Sequence, residues 1–219
     1  MTKFPKSYLL VSASVILTLL LVFPYLNVIN EDNPPLLFEL EVTVKDEEGD
    51  VVRHFTQKDP PTRGMGALMQ IILAPYAGDT DTLYIVEVVD MSGVTKNIST
   101  GNSMGAVFAS HGNTKIWIGN GSGTAAYTDY TLFNPVDSKI VSDPSIAIVG
   151  SNIVVSLAAT FSFTESNSIT ETGLSTMVND YLSNVLTTEI LLAHSTFSEP
   201  IAVYPGWTLT ITYKITLGG

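Results

Sequence analysis

The sequence contains no cysteine, and only 14% of its 219 residues are charged. Without cysteine there is no disulfide framework and no thiol chemistry, so packing and strand pairing must supply the stability. Basic residues are scarce as well, because none occurs between Lys139 and Lys214, and the formal net charge is -11. A surface this acidic repels a phosphate backbone, and we therefore expect no nucleic-acid partner.

Near the N-terminus, an uncharged apolar run covers residues 8–26. As a helix, this run spans close to the thickness of a bilayer core. Lys3 and Lys6 precede it, and Glu31 and Asp32 follow it; this order of charges favours export of the chain downstream. We predict an export signal, or a helix of a membrane or filament core, over residues 1–26. The side chains assigned to that helix are Tyr8, Leu17, Leu21 and Phe23.

Two fates of this helix stay open. A signal peptidase needs small residues after the apolar run, but residues 23–27 have the sequence FPYLN, which favours a retained anchor over a cleaved signal.

In residues 27–36, Pro34 and Pro35 predict a short extended linker. The rest, residues 37–219, is long enough for one large domain with a core of its own.

Beyond the linker, the sequence alternates with a period of two. Phe38, Leu40, Val42 and Val44 share one face of a predicted strand, and polar residues occupy the other face. An acidic turn with a glycine follows at residues 46–50, and a second strand-like run covers residues 51–56, which together predict a β-hairpin. This first strand is therefore expected to pair within its own chain.

Later segments continue the β pattern. Residues 65–76 have apolar positions at helical spacing and predict one short helix. Apolar and β-branched runs, separated by turn residues, predict strands at Leu83–Val89, Thr114–Ile118, Ile146–Val149, Ile153–Phe163, Leu191–Phe197 and Trp207–Leu217. We predict an all-β fold, an antiparallel β-sandwich of jelly-roll or immunoglobulin-like type with one short helix, preceded by the N-terminal hydrophobic helix.

Motifs for catalysis are weak. The sequence GNSMG at residues 101–105 fits a nucleophile elbow around Ser103, but no alternation of strands and helices surrounds it. His54, His111 and His194 are isolated, and no pair has the spacing of metal ligands on a helix. We therefore expect no enzyme activity, no cofactor and no metal site.

Two acceptor patterns for N-glycosylation occur, at Asn97-Ile98-Ser99 and Asn120-Gly121-Ser122. Both are predicted to lie in surface loops. Trp117 and Trp207 are interpreted as core or subunit-interface anchors. Exposed aromatic residues such as Tyr127 and Tyr130 leave a carbohydrate-binding module open as another class.

Three stretches resemble a known family. They are IWIGNGSGTAAYTDYTL (116–132), SITETGLST (168–176) and LLAHSTFSEPIAVYPGWTLTITYKITL (191–217). They are similar to a β-sandwich domain of tailed-phage tail-fibre and related virion structural proteins, over roughly residues 82–217. In the middle stretch, the matching positions are Ile169, Thr170, Glu171, Gly173 and Leu174, which the resemblance predicts to form a turn. In the last stretch, they are Leu191, Leu192, Ala193, Phe197, Pro205, Gly206, Thr208 and Leu209. His194 stands where that family often has arginine, and Trp207 where it often has aspartate.

The export helix is the main departure from that family, because phage fibre subunits need none. In plan, the chain resembles exported archaeal pilus or thread subunits, which polymerise by donating an N-terminal strand to a neighbour. The first prediction is thus a non-covalent homopolymer on the cell surface, with membrane contact through residues 8–26 at least during export. The alternative is a virion tail, spike or fibre protein, and either form has a possible host or cell-surface receptor. The residues predicted to mediate assembly are Leu26, Val28, Ile29, Leu36, Leu37, Phe38 and Leu40.

Overall fold

A computed structural model describes residues 36–73, 85–99, 114–179 and 186–217 of the chain. These residues form eleven strands and one helix. In chain order they are β1 (Leu36–Lys45), β2 (Val51–Lys58), α1 (Arg63–Leu73), β3 (Ile85–Val89), β4 (Thr95–Ser99), β5 (Thr114–Gly119), β6 (Pro135–Ile140), β7 (Ser142–Val149), β8 (Asn152–Ser162), β9 (Asn167–Asn179), β10 (Leu186–Val203) and β11 (Thr208–Leu217).

The strands form three sheets, in which every pairing is antiparallel. The five-stranded sheet has the order β2-β1-β11-β8-β7, the four-stranded sheet has the order β10-β9-β5-β6, and β3 and β4 form a two-stranded ribbon. The prediction of an antiparallel, mostly β fold with one short helix is confirmed. The predicted N-terminal helix, with Tyr8, Leu17, Leu21 and Phe23, lies outside the described residues, as do Ser103 and His111.

The first strand is an interior strand of its sheet. β1 pairs along its whole length with β11 on one side, and from Glu39 to Lys45 with β2 on the other. Its apolar face, which carries Phe38, Leu40, Val42 and Val44, is at most 2% exposed. The predicted in-chain hairpin with β2 is confirmed, and from Glu39 to Lys45 both edges of β1 are paired within the chain.

One hydrophobic core joins the two larger sheets. β11 supplies Leu209, Ile211 and Tyr213 from its alternating face, and all three are fully buried. Ile116 of β5 and Leu174 of β9 belong to the same core from the other sheet. Each such side chain contributes about 1.5–3 kcal/mol through its removal from water.

Two predicted local features have different outcomes. The hairpin turn at residues 149–152 is confirmed: β7 and β8 meet there, and Gly150 has φ +63°, which a side chain rarely allows. The turn expected from the family resemblance at residues 169–174 is wrong, because these residues lie inside β9, which pairs with β10 and, from Glu171 onward, with β5.

The short helix occurs where it is predicted, but α1 begins at Arg63, two residues before the expected start. The carbonyl oxygen of Thr62 accepts hydrogen bonds from Met65 N–H and Gly66 N–H, so the first turn closes at Thr62. Gly64 faces β10 so closely that a Cβ there would lie 2.1 Å from the carbonyl oxygen of Leu191. The helix is thus fixed directly onto the four-stranded sheet.

Candidate functional site

The outer edge of β7 is the most distinctive exposed feature. β7 pairs with β8, and within the described part of the chain no strand pairs with its other side. Ile146 and Ile148 of β7 are 74% and 80% exposed. Across the hairpin, Ile148 is the partner of Ile153, which is itself 44% exposed. Ile146, Ile148 and Ile153 lie on one face of the hairpin and make an apolar surface that we call the open edge, while the exposed Val149 lies on the opposite face.

The open edge continues the apolar inner face of the five-stranded sheet. Along β8, Leu157 pairs with Tyr213, and both residues are fully buried. Val155, two positions earlier on the same face, is half-buried, and Ile153, two positions earlier again, is exposed. The apolar face that is buried in the middle of the five-stranded sheet therefore becomes solvent-exposed toward the β7–β8 turn.

Sheet edges in monomeric proteins are usually protected by charges, prolines or bulges, because unpaired backbone groups recruit other strands. From Ser145 to Val155 the sequence SIAIVGSNIVV contains no charged residue and no proline. The opposite edge strand of the same sheet, β2, carries Arg53, His54 and Lys58. Arg53 is also anchored there, through an ion pair with Glu199 at 3.6 Å. β7 itself has Asp143 and Pro144 near its start and a register shift between Ser142 and Ser145, so only its second half, from Ser145 to Val149, is a free edge with an uncharged apolar surface.

The residues predicted for assembly lie in different environments. Phe38 and Leu40 are buried in the subunit's own core, and Leu37 is half-buried on the other face of β1. Leu36 begins β1 opposite Leu217. Leu26, Val28 and Ile29 lie outside the described residues. The structure therefore adds the open edge as a surface that sequence reasoning missed; the uncharged run at residues 145–155 was the available signal.

The two glycosylation acceptors are both exposed. Asn97 lies within β4, opposite Glu87, so its predicted loop location is wrong. Asn120 directly follows β5, and its Oδ1 accepts a hydrogen bond of 2.5 Å from Asn134 Nδ2. Glycosylation at both positions stays a prediction.

A buried ionic cluster lies on the other side of the molecule, under the loop that connects β5 and β6. The His194 ring on β10 lies between two carboxylates: Nδ1 is 2.7 Å from Asp129 Oδ2, and Nε2 is 2.9 Å from Glu171 Oε2. The side chains of His194 and Glu171 are fully buried. Phe133 packs edge-on against the imidazole with ring centroids 4.9 Å apart.

Glu171 also organises the backbone of that loop. Its two carboxylate oxygens accept hydrogen bonds from Gly121 N–H at 3.0 Å, Asn134 N–H at 2.8 Å and Phe133 N–H at 2.9 Å. Burial raises the pKa of Glu171, but the N–H groups of Asn134 and Phe133, the ring of His194 and the N–H of Gly121 outweigh burial. The net pKa lies below the ordinary value of 4.5.

This cluster has a structural role, because both ring nitrogens of His194 are occupied by carboxylates and the ring is sealed from solvent. Sequence reasoning treated His194 as isolated, since its partners are 23 and 65 positions away. Within the described residues, no group of three or more histidine, cysteine or acidic side chains is arranged to hold a metal ion.

A shallow groove lies between β5, β10 and the β3–β4 turn, with a volume of about 360 Å³. Its aromatic wall is Trp117, whose Nε1 donates to Ser175 Oγ at 2.8 Å; that hydroxyl in turn donates to Glu189 Oε1 at 2.7 Å. Lys115 contacts Glu189 Oε2 at 3.1 Å. Because these polar groups satisfy one another, the groove offers few free hydrogen-bonding partners to a ligand.

Comparison of the chain with protein-family models, with curated proteins and with solved structures finds no match. The resemblance to virion fibre domains therefore stays a prediction. Across the described ranges, no helix has both the length and the apolar character needed to cross a bilayer. The apolar run at residues 8–26 lies outside those ranges.

Proposed function

We propose that the chain is a structural subunit of an extracellular surface filament, exported through a membrane and assembled non-covalently through its N-terminal segment. The observation that supports this most directly is the open edge: the second half of β7 is an uncharged free edge, with Ile146 and Ile148 exposed on it and Ile153 exposed on the paired strand. Within this proposal, the two sheets form a β-sandwich of jelly-roll or immunoglobulin-like type. Assembly is structural and requires neither catalysis nor a cofactor.

The proposed contact is strand addition. A segment of a neighbouring copy pairs with the free edge of β7, satisfies its backbone N–H and C=O groups, and covers the exposed isoleucines. The donor is the segment that ends at the start of β1: its first half contains Leu26, Val28 and Ile29, and its second half is polar and ends in two prolines. Residues 26–35 span about 33 Å when extended, whereas the eight residues of β7 span about 27 Å.

A donor from the same chain competes with this arrangement. β1 is three strands away from β7 in the sheet order, a lateral distance of about 14 Å. The N-terminal segment of the same copy is therefore long enough to reach β7. We assign the donor to a second copy. If the segment of the same copy paired with β7, the free edge of β7 would be covered within the subunit, and the protein would be a monomer.

A retained helix offers another way to polymerise, in which residues 8–26 pack in a filament core. Mass measurement of the native N-terminus separates these mechanisms. A mature chain that begins after residue 26 excludes the core-helix mechanism, because the helix is then missing. A mature chain that still contains residues 1–26 excludes the version in which cleavage frees the donor strand.

The main test places one lysine at each of two edges of the same sheet. Ile148→Lys charges the open edge, and Val52→Lys charges an aliphatic position of β2 that is 47% exposed. We expect Ile148→Lys to abolish filaments in negative-stain electron microscopy and to give dispersed subunits, because a buried charge has no partner in the joint. Val52→Lys is expected to assemble like the wild type.

Several outcomes would contradict the proposal. Normal filaments from Ile148→Lys mean that β7 is not the joint. Dispersed monomers from the native protein exclude a homopolymer. Discrete spikes on virus particles, and their absence from uninfected cells, favour the alternative of a virion tail, spike or fibre protein anchored by its N-terminal helix.

A further inference from the structure

A second cluster of hydrogen-bonded polar side chains lies between the two larger sheets, and it contains no ion pair. Ser195 Oγ on β10 donates to Asp59 Oδ1 at 2.6 Å. Gln57 Nε2, at the end of β2, lies 3.0 Å from the same Ser195 oxygen. Ser195 and Asp59 are 3% and 2% exposed. One hydroxyl therefore contacts a carboxylate and a carboxamide at once; the hydroxyl and the carboxylate are buried, and the carboxamide is half-buried.

Packing alone does not explain this polar cluster. Asp59 Oδ2 and the hydroxyl of Tyr213 are both buried and make no hydrogen bond of ordinary geometry. A buried polar atom without a partner destabilises a fold, and a carboxylate does so more than a neutral group. Apolar residues of similar size would be less costly at these positions, so the retained polar groups point to chemistry.

We propose that Ser195 and Gln57 join in an intramolecular ester bond that links β10 to β2, with Asp59 as the general base. This bond is a covalent modification site that goes beyond filament assembly. It supplies a cross-link between the two sheets in a chain that has no cysteine. The loop it closes is 138 residues long in sequence separation.

The reaction is balanced without any added reagent. Asp59 Oδ1 removes the proton from Ser195 Oγ, and Oγ attacks Cδ of the Gln57 carboxamide to form the new C–O bond. The C–N bond of that carboxamide then breaks, and Asp59 returns the proton to the leaving nitrogen. Ammonia departs, the carboxylate of Asp59 is regenerated, and the product is an ester.

The surroundings suit each step. Burial raises the pKa of Asp59 to about 6, although Ser195, Tyr213 and the nearby charge of His194 act in the opposite direction. A carboxylate of this pKa is a stronger base than an ordinary one and readily cycles its proton near neutral pH. In the structure, Gln57 Nε2 donates a hydrogen bond to Ser195 Oγ, and the attack requires the carboxamide to rotate about its Cγ–Cδ bond until a face of Cδ is directed at Oγ.

Mass spectrometry of the purified full-length chain tests the proposal directly. The wild-type protein, denatured and digested, is expected to yield one branched peptide that contains both Gln57 and Ser195. Its mass should be lower than the sum of the two linear peptides by one ammonia. Hydroxylamine should split it, restore Ser195 and leave a hydroxamate at Gln57, because it cleaves esters.

Variants assign the roles. Ser195→Ala and Asp59→Asn are each expected to give only linear peptides, whereas Thr196→Ala, the adjacent residue on β10, should keep the branched peptide. Asp59→Asn keeps the volume of the side chain but removes the base. Loss of the cross-link should also lower the unfolding temperature.

The wild-type measurement decides the matter even where a variant fails to fold. Linear peptides of unmodified mass from the folded wild-type chain overturn the proposal, and a branched peptide in Asp59→Asn overturns the role of the base. Because the bond forms within one subunit, these results are independent of whether filaments assemble. Failure of the ester and failure of the filament proposal are thus distinguishable.

Discussion

The two long edges of the molecule, where the sheets end side by side, differ in how they are closed. At the β2–β10 edge, Ser195 binds Gln57 and Asp59, Arg53 Nη1 donates to the carbonyl oxygen of Pro200 at 3.1 Å, and Phe55 packs on Phe197 with ring centroids 5.8 Å apart. At the β6–β7 edge, the notable features are exposed aliphatic side chains, including Ile140 at 53% and Ile148 at 80%.

This contrast shows two uses of the same sheet. Directional bonds with defined partners fix one edge in a single arrangement, because a buried polar group that loses its partner is costly. Apolar surface at the other edge gains stability from any matching apolar strand. The first edge joins the two sheets within the subunit, whereas the second is the surface on which the proposed assembly depends.

The largest expected effect comes from the buried ionic cluster under the β5–β6 loop, which, like the β2–β10 edge, is held by directional bonds. Glu171→Gln should lower the free energy of unfolding at pH 7 by about 3–5 kcal/mol, because it removes one member of a buried, hydrogen-bonded ionic group. Glu165→Gln is the matched control: it makes the same change in the exposed β8–β9 turn and should stay within about 0.5 kcal/mol. Urea unfolding measures both, and equal effects would show that the cluster contributes nothing special.

The same variant carries a pH signature. The pKa of Glu171 is lowered in the folded state, so its contribution to stability is present above its unfolded pKa and is lost as the pH falls through the folded pKa. The stability difference between wild type and Glu171→Gln should therefore shrink below about pH 4.5. A difference that stays constant from pH 7 to pH 3 would mean that the charge of Glu171 has no role.

A pair of alanine variants tests whether the side chains of the open edge are uncovered in the monomer. Leu157 and Ile148 lie on the same face of neighbouring strands, but Leu157 is 1% exposed and Ile148 is 80% exposed. In dilute monomeric protein, Leu157→Ala should cost about 2–5 kcal/mol, whereas Ile148→Ala should cost less than about 0.5 kcal/mol. Denaturant titration decides, and a large cost for Ile148→Ala would show that the monomer covers this edge itself.

The smallest of these effects concerns the turn of the β7–β8 hairpin. Gly150 has φ +63°, and a Cβ there would meet no heavy atom within 4 Å. Gly150→Ala should therefore cost only the backbone strain, about 1–2 kcal/mol. Gly150→Asn is the control, because asparagine tolerates this conformation better, and it should recover part of the loss in thermal unfolding. Equal stability of Gly150→Ala and wild type would mean that the turn adopts another conformation.

Strands with a strong alternation of apolar and polar residues were predictable from the sequence. β1 and β11 belong to this class, because each has one face in the core and the other toward polar surroundings. β6 was missed because five of its six residues are exposed, which leaves no alternation to detect. β9 was interpreted in part as a turn because of Gly173. In the structure that glycine is needed in mid-strand, since a Cβ there would lie 2.6 Å from a side-chain carbon of Leu132.

The buried polar clusters were not predictable by the same means. Asp59 and Ser195 are 136 positions apart, and His194 and Asp129 are 65 apart. Only the pairing of β9 with β10 and β5, and the closure of the β5–β6 loop over it, brings the second pair together. The pattern within each segment records which face is apolar, but it carries no information about which polar residue on one strand faces which residue on another.

The five-stranded sheet also determines how tension would pass through a filament built by strand addition. The pull from one neighbour enters through a strand beside β7, and the pull from the other leaves through the chain that precedes β1. Both lie in one sheet, so the load crosses the β7–β8, β8–β11 and β11–β1 ladders in succession. The last two ladders each align ten residue pairs. Because many hydrogen bonds in each ladder share the load at once, such a subunit would transmit force through its sheet and keep its core unloaded.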